Sequence, residues 1–335
     1  MCIYFRFKIH HTKISMNYSY SRVCFAGEDL DWTQGKSLLC NINLKTSVII
    51  QKLDSPNDVI EINSNLIDYT IRLFPCDFDS HIYSNNKYDY IIAAIKVFKR
   101  HFYIIKNINI YIKSDIPVKS GLSSSAALLT CFFKELYNFY NIKYTIDQIC
   151  NLCFETEYLE LKCQVGKMDF YSCCAHGIIM YESKKESVIY KKLNTNGLKI
   201  ILIYCGLSSS TKKINKNKLL RYQYKEYNFM QYLKYGNSIV GDLSDEIKEN
   251  GDIEKIGYLI SQYHDIIDKY LNVSTSYINE IVSLCNSAGA YGSKLTGCGL
   301  GGYVFSLIEE NKAALLIDTL QKNSIKYILT DPVCY

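Results

Sequence analysis

Two periods of apolar residues run through this chain, and the switches between them lay out its elements. β-Branched and aromatic residues crowd 20–26, 37–53, 58–63 and 68–74, a composition that predicts strands. Over 89–101 the apolar positions move to helical spacing, with Tyr88, Ile92, Ile95 and Phe98 on one face. An apolar run at 104–112 reads as a strand, 124–139 and 146–160 as helices, and 177–181 as a strand. These segments predict one mixed lobe. A second lobe is expected to open near the charged stretch 183–187. It would contain a strand at 200–204, helices between about 217 and 287, and strands at 302–307 and 325–329 around a helix at 310–322. Strand-helix-strand returns of this kind suit an α+β sandwich.

Composition adds bounds rather than new elements. A chain of 335 residues is long enough for two modest domains, expected at 21–185 and 186–335 behind an extension at 1–20. No apolar run approaches the ~20 residues of a spanning helix. The net charge of +5 is spread along the chain, so neither nucleic acid nor a membrane is indicated as a partner. The densest basic stretch, Lys212, Lys213, Lys216, Lys218 and Arg221, reads as a solvated loop and helix face. Of fourteen cysteines, Cys150 and Cys153 form a CxxC with no second pair or histidine cluster at zinc spacing. Cys24, Cys40, Cys131 and Cys205 lie in apolar segments, where a free thiol acts as a small hydrophobe. That usage suits a reducing, cytoplasmic setting. The extension carries Arg6, Lys8, His10, His11 and Lys13 without an acid, lacks the apolar core of a secretory signal, and contains an alternative start at Met16.

The candidate chemistry begins at 117–127, Pro-Val-Lys-Ser-Gly-Leu-Ser-Ser-Ser-Ala-Ala, between a predicted strand and a predicted helix. Gly121 permits close backbone approach, the serines can donate to phosphoryl oxygens or sit on a metal, and a helix N-terminus favours an anion. A Ser-rich helix cap is the competing reading. No Gly-Lys-Ser or Gly-Lys-Thr closes the segment as a P-loop requires. Position by position it resembles the ATP-binding motif Pro-x-x-x-Gly-Leu-x-Ser-Ser-Ala-Ala of the GHMP kinases, a family that includes galactokinase, homoserine kinase, mevalonate kinase and phosphomevalonate kinase. That resemblance implies a ribosomal-protein-S5-like N-terminal lobe, a ferredoxin-like C-terminal lobe and an active site between them. It also implies ATP binding by Pro117, Lys119, Ser120, Gly121, Leu122, Ser123, Ser124, Ser125 and Ala126.

Three further segments resemble the family. Residues 289–302, with Gly292, Gly297, Gly299, Gly301 and Gly302, look like its Gly-rich loop, placing Gly297 and Gly299 by the substrate. Residues 21–32 resemble the galactokinase signature, and Glu28, Asp29 and Asp31 are suited to hold a polyol through charge-assisted hydrogen bonds. Three acids there would repel an anionic acceptor such as mevalonate, homoserine or a uronic acid, which leaves a neutral sugar favoured. Glu157 and Asp169 reproduce a galactokinase spacing of twelve residues. By resemblance, Ser124 or Ser125 with Glu157 would hold Mg²⁺, an ion that seeks hard oxygen ligands. Asp169 would act on the acceptor hydroxyl, with Arg22 beside it as a fixed positive charge. Lys119 and Lys294 are candidate phosphate neighbours, with simple solvation as the alternative.

Departures from the galactokinase pattern, Asp29, Trp32, Phe170 and 163–165, touch the sugar pocket and spare the phosphate machinery. The expected activity is ATP-dependent phosphorylation of a sugar hydroxyl, foremost the anomeric hydroxyl of a neutral hexose such as galactose. Kinases of the uronic acid, other-sugar, mevalonate or homoserine type stay open, as does a non-catalytic sensor of sugar and ATP. The sequence leaves monomer and homodimer equally open.

Overall fold

A computed structural model describes residues 17–333 apart from 56, 66–69, 75–76, 78–80, 85–87, 103–106, 207–210 and 248–250. Residues 1–16, including Met16 and the basic cluster, lie outside the described residues, as do 68–69 and 104–106 of two predicted strands. No helix among the described residues is long and apolar enough to cross a membrane.

The first sheet contains β1 (Asn17–Ala26), β2 (Lys36–Lys52), β3 (Ile60–Ser64), β4 (Ile71–Leu73), β5 (Ile108–Ser114), β6 (Ile178–Glu182) and β7 (Ser187–Lys191). Its order is β4-β3-β5-β2-β6-β7, with β1 paired to the long β2. Helices α1 (Asp89–Phe102), α2 (Ser124–Phe139), α3 (Ile146–Phe154) and α4 (Met168–Ala175) belong to this lobe. Helix α2 packs on β1 and β2, and Val23, Leu39, Ile110 and Phe132 are among the fully buried residues of this lobe.

The second sheet holds β8 (Leu198–Tyr204), β9 (Gly292–Thr296), β10 (Tyr303–Glu309) and β11 (Tyr327–Thr330) in the order β11-β8-β10-β9, antiparallel throughout. Numbered within the lobe this is 4-1-3-2, the ferredoxin-like arrangement. Between β8 and β9 run α5 (Thr211–Gln223), α6 (Tyr227–Glu246), α7 (Ile253–Ile266) and α8 (Ser276–Ser287), and α9 (Glu310–Lys322) precedes β11. The chain is thus a two-lobed α+β protein. Its C-terminal segment returns to the first sheet, where Asn43 N–H donates to the Asp331 carbonyl at 3.0 Å and Val333 N–H to Asn41 at 2.8 Å.

Sheet membership shifts several expected boundaries. Residues 17–20, read as extension, are the start of β1 and pair with 45–48 of β2. The charged stretch at 183–187 is a hairpin turn rather than a crossing between lobes, because β7 goes back to pair with β6. The sheets therefore divide between Lys191 and Leu198, later than 185. Cys150 and Cys153 of α3, like Cys173 and Cys174 of α4, are buried free thiols.

Candidate active site

Arg22 organises the site. It sits on β1 between two register shifts, after Tyr20 and after Cys24, and such bulges bend a strand and re-aim its side chains. Its guanidinium donates from Nε to Asp169 Oδ1 at 2.7 Å and from Nη2 to Asp169 Oδ2 at 2.8 Å. The third arm, Nη1, donates to the Gly121 carbonyl at 2.7 Å. Arg22 is buried, while the Asp169 side chain keeps 29% of its surface open. The fork-to-fork geometry fixes the carboxylate in the first turn of α4, where a negative charge also meets the positive end of the helix.

The turn at 117–127, the candidate phosphate loop, is shaped by its backbone. Ser123 occupies the α2 N-cap position at φ 58 and makes no side-chain cap, which removes the Ser-rich-cap reading and leaves the first helical N–H groups without a side-chain partner. Ser120 Oγ donates to the Pro117 carbonyl at 2.6 Å and accepts from Leu122 N–H, so this hydroxyl shapes the loop. Leu122 and Ala126 are core residues, Ser123 Oγ is buried with no hydrogen-bond partner, and Lys119 is exposed. A small cleft lined by Lys119, Gly121, Thr211, Thr296, Cys298 and Gly299 opens beside the turn.

The glycine-rich segment is only partly a loop. Residues 292–296 form the buried strand β9, and the turn proper is 297–302. Gly121 and Gly297 interlock: a Cβ on Gly121 would lie 2.5 Å from the Thr296 carbonyl, and one on Gly297 would lie 2.5 Å from Gly121 Cα. Gly121→Ala, at φ 75, is expected to raise the KM for ATP roughly tenfold or more. Gly197→Ala, at φ 74 in open space, isolates backbone strain. Matching ATP KM values for the two variants would refute the interlock. Gly299 lines the same cleft, and a Cβ added to it would lie 2.5 Å from Val273 Cβ.

Glu157 lies on a π-helical turn, Glu155–Glu160, that follows α3 where an uninterrupted helix is predicted. It is buried, its Oε1 has no hydrogen-bond partner, and the Ser125 hydroxyl is its polar neighbour. Burial pushes the Glu157 carboxyl up to about 7; Ser125 opposes the rise and the Asp169 carboxylate adds to it. A buried carboxylate oxygen without a donor, beside a hydroxyl and a second acid, fits a hard divalent cation.

The acidic turn differs most from expectation. Glu28 forms an ion pair with Lys294 of β9, whose Nζ also donates to the Cys24 carbonyl at 2.9 Å, and neither side chain is open to solvent. Asp29, at φ 64, pairs with Lys218 of α5 at 2.6 Å, again buried. Contrary to the expectation from the sequence, three free acids do not stand here to repel an anion, since two are neutralised by lysines from distant segments. Lys294 is neither solvated nor at the phosphate cleft, and Lys218 is no part of a solvated face. Tyr232 of α6 donates to the Glu28 carbonyl at 2.5 Å and shares a 2.7 Å hydrogen bond with Tyr263 of α7. Nothing in the local sequence signals these partners. They come from one strand, β9, and three helices, α5, α6 and α7.

Asp31 Oδ2 accepts from Met168 N–H at 3.1 Å and sits so close to Gly166 that a Cβ there would lie 1.8 Å away. Burial raises its carboxyl to about 7, against the Met168 bond and with Asp169 and Asp29 adding to the rise. A carboxyl raised on folding supports the native state while protonated. That contribution is full below the ordinary value of 3.8 and is lost as pH climbs through about 7. Asp31→Asn, whose amide oxygen can still accept from Met168, should be more stable than wild type by roughly 2–4 kcal/mol at pH 8. The gap should narrow by pH 5 in thermal melts, and an equal gap at both would place the titration elsewhere.

Comparison with known proteins matches residues 89–177 to the GHMP kinases N terminal domain and 243–326 to the GHMP kinases C terminal domain. The chain belongs to the GHMP kinase family. Its fold and these matches make it a phosphotransferase with an alcohol group as acceptor, in a family that uses ATP. It is 24% identical to a galactokinase of Pyrococcus furiosus over 94% of this chain and 96% of that protein. It is 30% identical to a mevalonate kinase of the same organism over 60% of this chain and 59% of the other. The crystal structure of Lactococcus lactis galactokinase complexed with galactose superimposes with a TM-score of 0.83 at 16% identity, covering 95% of this chain and 94% of that one.

Proposed function

We propose that this GHMP kinase transfers the γ-phosphoryl group of ATP to the anomeric hydroxyl of a neutral hexose such as galactose, with Mg²⁺. The observation that carries the assignment of the centre is Arg22, which ties Asp169 to the carbonyl of Gly121 in the phosphate turn. One side chain thereby links the group that would meet the acceptor to the loop that would hold the donor. Phosphoryl transfer depends chiefly on alignment and charge neutralisation, and a carboxylate locked by two parallel hydrogen bonds is aligned in advance. Asp169 would accept the hydrogen bond, and then the proton, of the acceptor hydroxyl.

Ser124 or Ser125 with Glu157 would hold Mg²⁺, which when bound supplies neutralising charge at the phosphates. The free N–H groups of the first α2 turn would receive phosphoryl oxygens, with Lys119 at the rim. A neutral acceptor is favoured on new grounds. The buried cations around the acidic turn, Arg22, Lys218 and Lys294, are each committed to a carboxylate, so none is spare for an anionic substrate. Glu28 retains a buried oxygen, Oε2, without a partner, which suits a hydroxyl donor. The match to a galactokinase along nearly the whole chain supports the same choice. A mevalonate-type acceptor is the second reading, favoured by the 30% identity to a mevalonate kinase and by the neutralised turn.

ADP release with galactose, other hexoses, pentoses, uronic acids, mevalonate and homoserine, with phosphorus NMR on the products, tests this reading. A sugar 1-phosphate is expected. Turnover of mevalonate and of no sugar would overturn the acceptor assignment.

A further inference from the structure

Helix α5 is a polar element in a place where a packed one would be ordinary. Of its thirteen residues only Ile214 and Lys218 are buried. It is held to the body along one stripe, at positions 211, 215, 218 and 222, the spacing of a single helix face. Thr211 accepts from Cys298 of the glycine-rich turn at 3.5 Å, and Asn215 Nδ2 donates to the Gln164 carbonyl at 2.9 Å, five residues before Asp169. Lys218 reaches Asp29 in the acidic turn, and Tyr222 meets the edge of Trp32 with ring centroids 5.7 Å apart. The helix therefore touches in sequence the phosphate side, the approach to the candidate base and the acceptor side.

A buried lysine–aspartate pair is a poor device for stability, because desolvating both charges offsets most of their attraction. It is a good device for fixing geometry, since either charge left alone is strongly disfavoured. The Asp29 carboxylate is also committed on its other oxygen, Oδ1, which accepts from Trp32 Nε1 at 3.3 Å. Asp29 thus stands between Lys218 and Trp32 at a left-handed backbone position, with Glu28 before it and Asp31 two residues on. We propose that Lys218 is a positioning residue for acceptor binding: through Asp29 it sets the turn 27–32 that aims Glu28 and Asp31. The proposal rests on reading that turn as the acceptor side of the kinase site.

Trp32 is the single tryptophan of the chain, so its fluorescence reports the turn directly and without knowledge of the acceptor. Lys218→Met is expected to shift Trp32 emission to longer wavelength and to at least double its quenching by acrylamide. Lys218→Arg should stay near wild type, and Asp29→Asn, which keeps the side-chain size, should behave like Lys218→Met and serves if that variant does not fold. With whichever acceptor the wild type turns over, the acceptor KM should rise at least fivefold while the ATP KM stays within twofold. Native Trp32 emission and quenching in a folded Lys218→Met protein would overturn the proposal, and so would acceptor and ATP KM values rising together. Failure of every sugar as acceptor would defeat the substrate assignment alone, because the Trp32 measurement stands without it.

Discussion

Asp169→Asn is expected to lower kcat by on the order of 10³-fold while leaving ATP affinity within a few-fold of wild type. The side chain keeps its size and can still accept one hydrogen bond from Arg22, so the turn held by Arg22 through the Gly121 carbonyl should persist. What is lost is a group able to take the acceptor proton, an interaction used in the transition state and hardly at all in binding the nucleotide. Steady-state turnover with the acceptor found by the panel, together with calorimetric titration of ATP, checks both halves. Wild-type kcat in the Asn variant would remove Asp169 from the chemistry. Parallel loss of ATP binding would assign it to the structure of the phosphate turn instead.

Lys294→Met should be the most damaging substitution for stability. Methionine nearly fills the space of the lysine stem, but it leaves the Glu28 carboxylate buried without a counter-ion, at a cost of about 3–5 kcal/mol. The ammonium also lies 5.4 Å from the Tyr263 ring centroid and 5.5 Å from that of Phe305, contacts that vanish with the charge. A fall in melting temperature of about 4–7 °C follows for a chain of this size. Adding Glu28→Gln should recover most of the loss, since the stranded charge is its main source. A single variant that melts with wild type would contradict the buried pair, and a double variant no better than the single would attribute the loss to packing.

These two experiments fall on opposite sides of what could be read from the chain. Asp169, Arg22 and Glu157 could be singled out because their segments resemble GHMP kinase motifs, and the expected nearness of Arg22 to Asp169 is what the structure shows; the strands and helices that carry them follow from period-2 and period-3.6 patterns. The π-helical turn at Glu157 was not legible, because one inserted residue in a helical ladder leaves the apolar pattern almost unchanged. The hairpin to β7 was missed because Ser187–Lys191 is a short edge strand with little buried surface and so little hydrophobic signal.

By itself the sequence determined the α+β pattern of elements and singled out the candidate phosphate turn, for which local spacing and backbone chemistry suffice, while the two-lobed family fold and the candidate base came from the resemblance to GHMP kinase motifs. The charge state of the acceptor side was decided by tertiary structure alone. Glu28 and Lys294 are 266 residues apart and Asp29 and Lys218 are 189 apart, so no local pattern could pair them. Only burial in a shared interior, where an unpaired charge is costly, turns an apparently acidic loop into two neutral pairs and leaves Asp31 as the acid set apart.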